Sequence, residues 1–265
     1  MIEILHEPTA SEPFVVLSKP SGLASAPLAV GDASALTECA RLFPSVLNVR
    51  GKKAAEGGLL HRIDTQTSGL LLVAASQDFY DHIIAAQEAG RFVKGYLADC
   101  DLDADNAAAL GGFPPIAGQG QNAAASLSLK KSSAALCGLE IASYFRHYGK
   151  GQKEVRPVLQ DSNAAALKKL GQKKLYATKI VSADFGASKP FVRVECKIAQ
   201  GFRHQVRCHL AWLGLPVRGD AIYNRAYRQG GAQNSAGGQG GQMLFFAASL
   251  EFPDLFSDKI CHYQA

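Results

Sequence analysis

"HRIDTQTSGLLLVA", residues 61–74, sets three polar side chains, His61, Arg62 and Asp64, just before an apolar run. That run, Gly69 to Ala75, has the length of a strand, shows no polar alternation and ends at Ser76, so it reads as a strand buried on both faces. A charge at the lip of a buried strand costs on the order of several kcal/mol unless it is paired or put to use. Asp64 therefore reads in one of two ways: as a cap or surface residue, the common fate of an aspartate, or as a working carboxylate with a partner.

The flanking sequence builds out from this strand. Ser76 is placed to cap a helix carrying Phe79, Ile83 and Ile84 on one face, with Gly90 at its end. Upstream, Phe14 to Leu17 reads as a short strand followed by a Lys-Pro-Ser-Gly turn, which is expected to offer Lys19 to solvent. Downstream, "RFVKGYLAD" at 91–99 reads as a strand with Phe92, Lys94, Tyr96 and Ala98 on one face.

Residues 101–174 are rich in Ala, Gly, Gln and Lys and weak in periodicity, and are read as an elaboration or insertion without an assigned fold. The pattern tightens at "LYATKIVSADF" and at "FVRVECKI", where Val192, Val194, Cys196 and Ile198 alternate with charged residues as in a half-buried strand. "HQVRCHLAWLGLP" reads as a helix closed by Gly214 and Pro216, buried through Val206, Leu210 and Leu213. Helical spacing puts Arg203 and Arg207 on one border of that stripe, where arginines near a helix start would face an anion. A Gly and Gln loop, 228–242, is expected to be flexible and to precede a last strand in "MLFFAASLEF".

Composition bounds the function. A chain of 265 residues, 47% hydrophobic, is an ordinary globular protein. Its formal charge of +5 is unevenly spread: residues 150–179 hold eight Lys or Arg against two acids, and residues 201–228 hold five Arg against one. Such local excess suggests an anionic partner. Six cysteines without regular spacing read as free thiols of a reducing compartment. The N-terminus lacks a signal-peptide pattern and no apolar run is long enough to span a bilayer, so a soluble cytoplasmic protein is expected.

The anchors of several enzyme classes are missing. There is no G-x-S-x-G elbow, no phosphate-loop motif and no G-x-G-x-x-G fingerprint. His204, Cys208 and His209 look superficially like a metal cluster, but the last two lie about 100° apart on a helix and no second ligand group follows, so they are read as packing residues.

Four ordered segments, spread over about two thirds of the chain, resemble motifs of the RluA family of RNA pseudouridine synthases. "KPSGL" at 19–23 is similar to the first motif of that family. "HRIDTQTSGLLLVA" is similar to H-R-L-D-x-x-T-S-G-L-L-L-x-A, "VKGYLA" to K-x-Y-L-A, and "GFRHQVRCHLAWLGLPVRGDAIY" to G-R-x-H-Q-I-R-x-H-L-x-x-x-G-x-P-I-x-G-D-x-x-Y. The departures, Phe202, Arg218, Asn224 and "LFFAA" near the end, fall away from the matched Asp64, Tyr96 and Arg207.

The resemblance implies an α+β fold with a mainly antiparallel mixed central sheet flanked by helices and loops. It implies isomerisation of specific uridines in structured RNA, ribosomal before transfer RNA, by base flipping. Asp64 falls on the catalytic aspartate, Tyr96 on the tyrosine that stacks against the target uracil, and Arg207 on the arginine that ion-pairs with that aspartate. Arg62 matches the residue that fills the gap left by the extruded base. The other matched polar residues, Lys19, His61 and Lys94, and in the last motif Arg203, His204 and Gln205, are expected to contact substrate.

The chemistry breaks the bond between C1′ and N1, rotates the uracil and joins C1′ to C5 without net redox change, so no cofactor and no metal are expected. Eighteen residues before Lys19 are too few for the S4-type domain of many relatives, and the expectation is a single catalytic domain over 1–265, acting as a monomer. Two rivals stand beside this reading. One is a nucleoside or glycoside hydrolase using Asp64 with a second carboxylate such as Asp99 or Asp220. The other is an RNA-binding or chaperone protein without turnover.

Overall fold

In the computed structural model the described residues are all except 28, 30, 116–135, 161, 163, 171, 187–190, 229–241 and 258. Part of the 101–174 elaboration and nearly all of the expected Gly and Gln loop thus lie outside the described residues. In chain order the elements begin with β1 (Glu3–His6), β2 (Phe14–Lys19), α1 (Ala35–Leu42), β3 (Ser68–Ala74), α2 (Gln77–Glu88) and β4 (Val93–Cys100). They continue with α3 (Asn106–Leu110), β5 (Glu140–Tyr148), β6 (Glu154–Val158), α4 (Ala164–Leu167), β7 (Tyr176–Asp184) and β8 (Val192–Ile198). Helices α5 (Gln205–Trp212) and α6 (Arg225–Arg228) and strands β9 (Phe245–Pro253) and β10 (Ile260–Gln264) complete the chain. Two compact units result: Met1–Tyr96 with Phe246–Ala265, and Leu97–Phe245. Strand pairing with few helices is the α+β arrangement that the family resemblance implies.

In the first unit β3 is the central strand. It pairs antiparallel with β2, Phe14 opposite Ala74 and Lys19 opposite Gly69, and parallel with β9, Gly69 opposite Ala247. β1 extends the sheet beyond β2, and β10 pairs antiparallel with β9. Burial on both faces explains the unbroken apolar run: Leu70, Leu71, Leu72 and Val73 are all without solvent exposure. Leu70 and Leu72 join a core with Phe14, Phe79, Ile83, Phe92 and Phe252, in which the rings of Phe14 and Phe79 stack at 4.7 Å. Ser76 caps α2 as its sequence suggests, its Oγ accepting the Phe79 N–H at 3.3 Å.

Gly69 marks where two backbones nearly touch. Its φ is +113°, and a Cβ there would lie 2.2 Å from the Ala247 carbonyl oxygen. A side chain would force β3 away from β9 as well as strain its own backbone. Gly69→Ala is expected to lower unfolding free energy by about 2–3 kcal/mol, read as a drop in urea midpoint at unchanged slope.

In the second unit the sheet runs β8-β7-β5-β6 with antiparallel neighbours. β8 alternates as read, Val192, Val194, Cys196 and Ile198 inward. β5 and β6 arise inside the 101–174 segment, whose weak periodicity assigns no fold. Their inward rows contain polar residues, Ser143 in β5 and Arg156 in β6, both without exposure, and these interrupt the apolar alternation.

Helix α5 differs from its expectation. All eight residues are buried, so it has no solvent face and no border stripe. Arg203 lies ahead of the helix, whose N-cap is His204, so Arg203 and Arg207 do not share one helical border. The helix packs into a core of Phe145, Val155, Tyr176, Cys208, Ala211 and Tyr223.

His209 sits on α5 between two hydroxyls, Nε2 2.9 Å from Ser143 Oγ and Nδ1 2.9 Å from Thr178 Oγ1. Burial lowers its pKa to about 3 from an ordinary 6.5. Between those values the unfolded chain takes up a proton that the folded one refuses, so this contribution to stability is complete above pH 6.5 and falls away as pH drops towards 3. Urea unfolding at pH 7 and pH 4.5 is expected to show that loss, His209 contributing about 1.4 kcal/mol per pH unit well below 6.5, and His209→Gln to show less of it.

Candidate active site

Asp64 opens a tight turn in which the Thr67 N–H donates to the Asp64 carbonyl at 2.9 Å. The turn is clamped by the first matched motif and by Ser25 just after it, far upstream in the chain. Thr65 O accepts from the Gly22 N–H at 2.8 Å and from Lys19 Nζ at 3.1 Å. Ser21 Oγ donates to Gln66 O at 2.8 Å. Ser25 Oγ donates to Ile63 O at 2.8 Å and accepts the Ile63 N–H at 3.2 Å. Residues 63, 65 and 66 are thus each tied down around the carboxylate. Gly22, at φ +87°, supplies the left-handed bend that this close approach requires.

Lys19 is not offered to solvent. It is 0% exposed, and besides Thr65 its Nζ donates to Pro20 O at 2.9 Å and Leu23 O at 2.7 Å. Three carbonyls satisfy an ammonium whose stem is enclosed by the turn, a demand that the Lys-Pro-Ser-Gly sequence does not announce. Burial lowers its pKa to about 8, against the opposing pull of the Asp64 charge. The sequence reading missed this clamp; the signal for it was a lysine at the very end of an otherwise apolar strand.

Tyr96 and Lys94 lie on β4, two residues apart and both nearly enclosed. Burial raises the pKa of Tyr96, and the Asp64 charge raises it further, so the phenol stays protonated. Lys94 Nζ stands 4.2 Å from the centre of the Phe92 ring. Burial and then the Lys52 charge lower its pKa to about 7. His61 turns into the fold: its Nε2 accepts the Leu72 N–H at 3.2 Å, which leaves the proton on Nδ1, and its ring meets Phe92 edge-on at 5.3 Å. Burial, then the Lys94 charge, lowers its pKa to about 3, so His61 is neutral. Arg62 points the other way, 59% exposed, with Nη1 3.1 Å from Glu56.

In the second unit Arg207 is held by a bidentate pair with Asp220, Nε to Oδ2 at 2.8 Å and Nη2 to Oδ1 at 2.7 Å, and its guanidinium lies 5.3 Å from the Tyr223 ring centre. Asp220 also accepts the N–H groups of Ile222 and Tyr223. Burial alone would raise its pKa, but Arg207 and those two N–H groups outweigh burial and hold it below the usual carboxylate value. The sequence reading considered Asp220 only as a second carboxylate for hydrolysis. The missed signal was that it is the one acid among five arginines in 201–228.

The remaining residues of the last motif build the loop before α5. His204 adopts φ +56°, and its Nδ1 lies 3.1 Å from the Tyr223 hydroxyl. Gln205 is buried; its Oε1 accepts the Phe202 N–H at 2.9 Å and its Nε2 donates to Ala177 O at 2.9 Å. Arg203 is exposed and donates to Gln152 O at 3.4 Å. The hydrolase reading finds both its suggested second carboxylates engaged, Asp220 by Arg207 and Asp99 by a bidentate pair with Arg193. Among the described residues no helix is long and apolar enough to cross a membrane.

A pair of enclosed lysines, a protonated tyrosine and a clamped carboxylate in one unit, with a fixed arginine in the other, are the parts that the four matched segments supply. A model of the RNA pseudouridylate synthase family matches residues 13–212, and the chain belongs to that family. Ribosomal large subunit pseudouridine synthase D of Zymomonas mobilis is 25% identical over 229 residues, 85% of this chain and 56% of that protein. The chain therefore spans just over half the length of this curated relative. Two solved structures share the fold. Human RNA pseudouridylate synthase domain containing 1 gives a TM-score of 0.61 at 19% identity, covering 100% of this chain and 83% of the other. Human RNA pseudouridylate synthase domain containing 4 gives 0.56 at 18% identity, covering 99% and 87%.

Proposed function

We propose that this protein converts uridine to pseudouridine in structured RNA, with Asp64 as the catalytic carboxylate. The observation that carries the reading is the turn around Asp64, clamped by Lys19, Ser21, Gly22 and Ser25 within the same unit as a Tyr96 that feels the carboxylate's charge. An ionised carboxylate is what the reaction needs, whether it attacks C1′ or removes the C2′ proton. Tyr96 stacks against the uracil, and its raised pKa keeps the ring neutral while it does so. Arg62, exposed on the turn, enters the space left by the flipped base, whose unstacking costs about a few kcal/mol. Arg207 takes the role of the family arginine, its fork oriented by Asp220. His61 and Lys94 shape the wall behind Tyr96, and Arg203, His204 and Gln205 shape the loop that meets RNA.

Ribosomal RNA is the proposed substrate, supported by the name of the Zymomonas relative, with the protein working as a cytoplasmic monomer. The test is a transcriptome-wide pseudouridine map of cells with and without the gene. At least one ribosomal site is expected to vanish on deletion and to return with the wild-type gene but not with Asp64→Asn. Identical maps in all strains refute the activity, and a site lost from transfer RNA instead refutes the substrate.

A further inference from the structure

The basic stretch 150–179 has no place in the chemistry above, yet the fold brings six of its lysines to the tip of the β5–β6 hairpin and to the segment beside β5. The hairpin turns through Gly149 and Gly151, both at positive φ, and presents Lys150 and Lys153 to solvent. Leu170 bridges to Arg146 on the edge of β5 opposite β6, so the segment bearing Lys168, Lys169, Lys173 and Lys174, all exposed, runs beside the same hairpin. Among the described residues 147–175 every exposed charged side chain is a lysine. Glu154, the acid described there, is already engaged by Arg156 at 2.7 Å and by Arg228.

The hairpin is also anchored by buried contacts and tied to the last matched motif. Arg156, without exposure, donates to Gly111 O at 2.8 Å and Val155 O at 3.0 Å, and its guanidinium lies 4.3 Å from the Tyr148 ring centre. At the tip, Gln152 O accepts from Arg203, the residue just before the His204 cap of α5. Two exposed lysines at the hairpin tip and four on the segment beside it suit a polyanion with regularly spaced charge, and flexible lysines bind phosphates as point charges without reading bases.

We propose that Lys150 and Lys153 of the β5–β6 hairpin and the neighbouring Lys168, Lys169, Lys173 and Lys174 form an arm that grips the RNA phosphate backbone. This rests on the proposed RNA modification, and it assigns a distinct part of that substrate, its phosphate backbone, to a distinct part of the chain.

The test replaces Lys150, Lys153, Lys168 and Lys169 together by Gln. A companion variant carries Arg at the same four positions. A control removes equal charge elsewhere, at the exposed Arg41, Arg50, Arg91 and Lys259. Binding to transcripts of ribosomal and transfer RNA is measured across salt concentrations, and single-turnover pseudouridine formation at saturating RNA.

The Gln variant is expected to lose tenfold or more in affinity, with the slope of log affinity against log salt falling by roughly 3. Its rate at saturation stays at the wild-type value. The Arg variant and the control keep wild-type affinity. Unchanged affinity in the Gln variant overturns the arm, as does an equal loss in the control. Loss of rate at saturation with affinity intact also overturns it. Asp64→Asn in the same assay separates the two claims: the arm is read from binding, whereas the reaction stands or falls with product formed.

Discussion

Asp64→Asn is expected to lower single-turnover pseudouridine formation by at least about 10³-fold while leaving the protein folded and its RNA affinity near that of the wild type. The amide keeps the shape of the side chain but can neither carry the negative charge nor accept a proton, so both routes from uridine are closed. The surrounding clamp does not depend on the carboxylate. It is built from the backbone carbonyls of Ile63, Thr65 and Gln66 and the side chains of Lys19, Ser21 and Ser25, all of which the variant retains. A variant that makes product at the wild-type rate removes Asp64 from the chemistry. A variant that loses activity only because it unfolds is recognised by its melting curve, and Asp64→Ala then serves as the second reading of the same position.

Asp220→Asn is expected to cost about 3–5 kcal/mol of stability, because it breaks a bidentate ion pair whose arginine is only 4% exposed. At about 2–4 °C per kcal/mol for a chain of this size, the melting temperature should fall by roughly 10 °C. The amide can still accept from the Ile222 and Tyr223 N–H groups, so the loss reports the ion pair with Arg207 rather than the turn after Asp220. Combining Asp220→Asn with Arg207→Met should recover part of the lost stability, since an apolar side chain of similar length leaves no buried charge. A melting temperature unchanged in the single variant contradicts a structural role for the pair.

Legibility in the sequence followed the physics of each element. β3 and β8 were readable because their burial is simple, two-faced in one and one-faced in the other. α2 was readable because Ser76 and Gly90 mark its ends. β5 and β6 were hidden because their buried positions hold Ser143 and Arg156, polar residues whose partners come from distant segments. β1 and β10 have a partly exposed character and five residues or fewer, too little for a periodic signal. Of the candidate site, the motif residues were visible as a pattern, but what holds them was not. Nothing local in Lys19 states that three carbonyls enclose it, and nothing local in Arg207 names Asp220 as the anion it grips. Long-range polar contacts of this kind leave no period behind.

The clamp between the first motif and the Asp64 turn has a consequence for how ordering and recognition divide between folding and binding. The turn that carries the proposed catalytic carboxylate is tied by contacts that exist before any nucleic acid arrives, so its ordering belongs to the folding equilibrium and not to the encounter with substrate. The free energy of docking is then left for the one large rearrangement the reaction demands of its partner, drawing a nucleoside out of its stack.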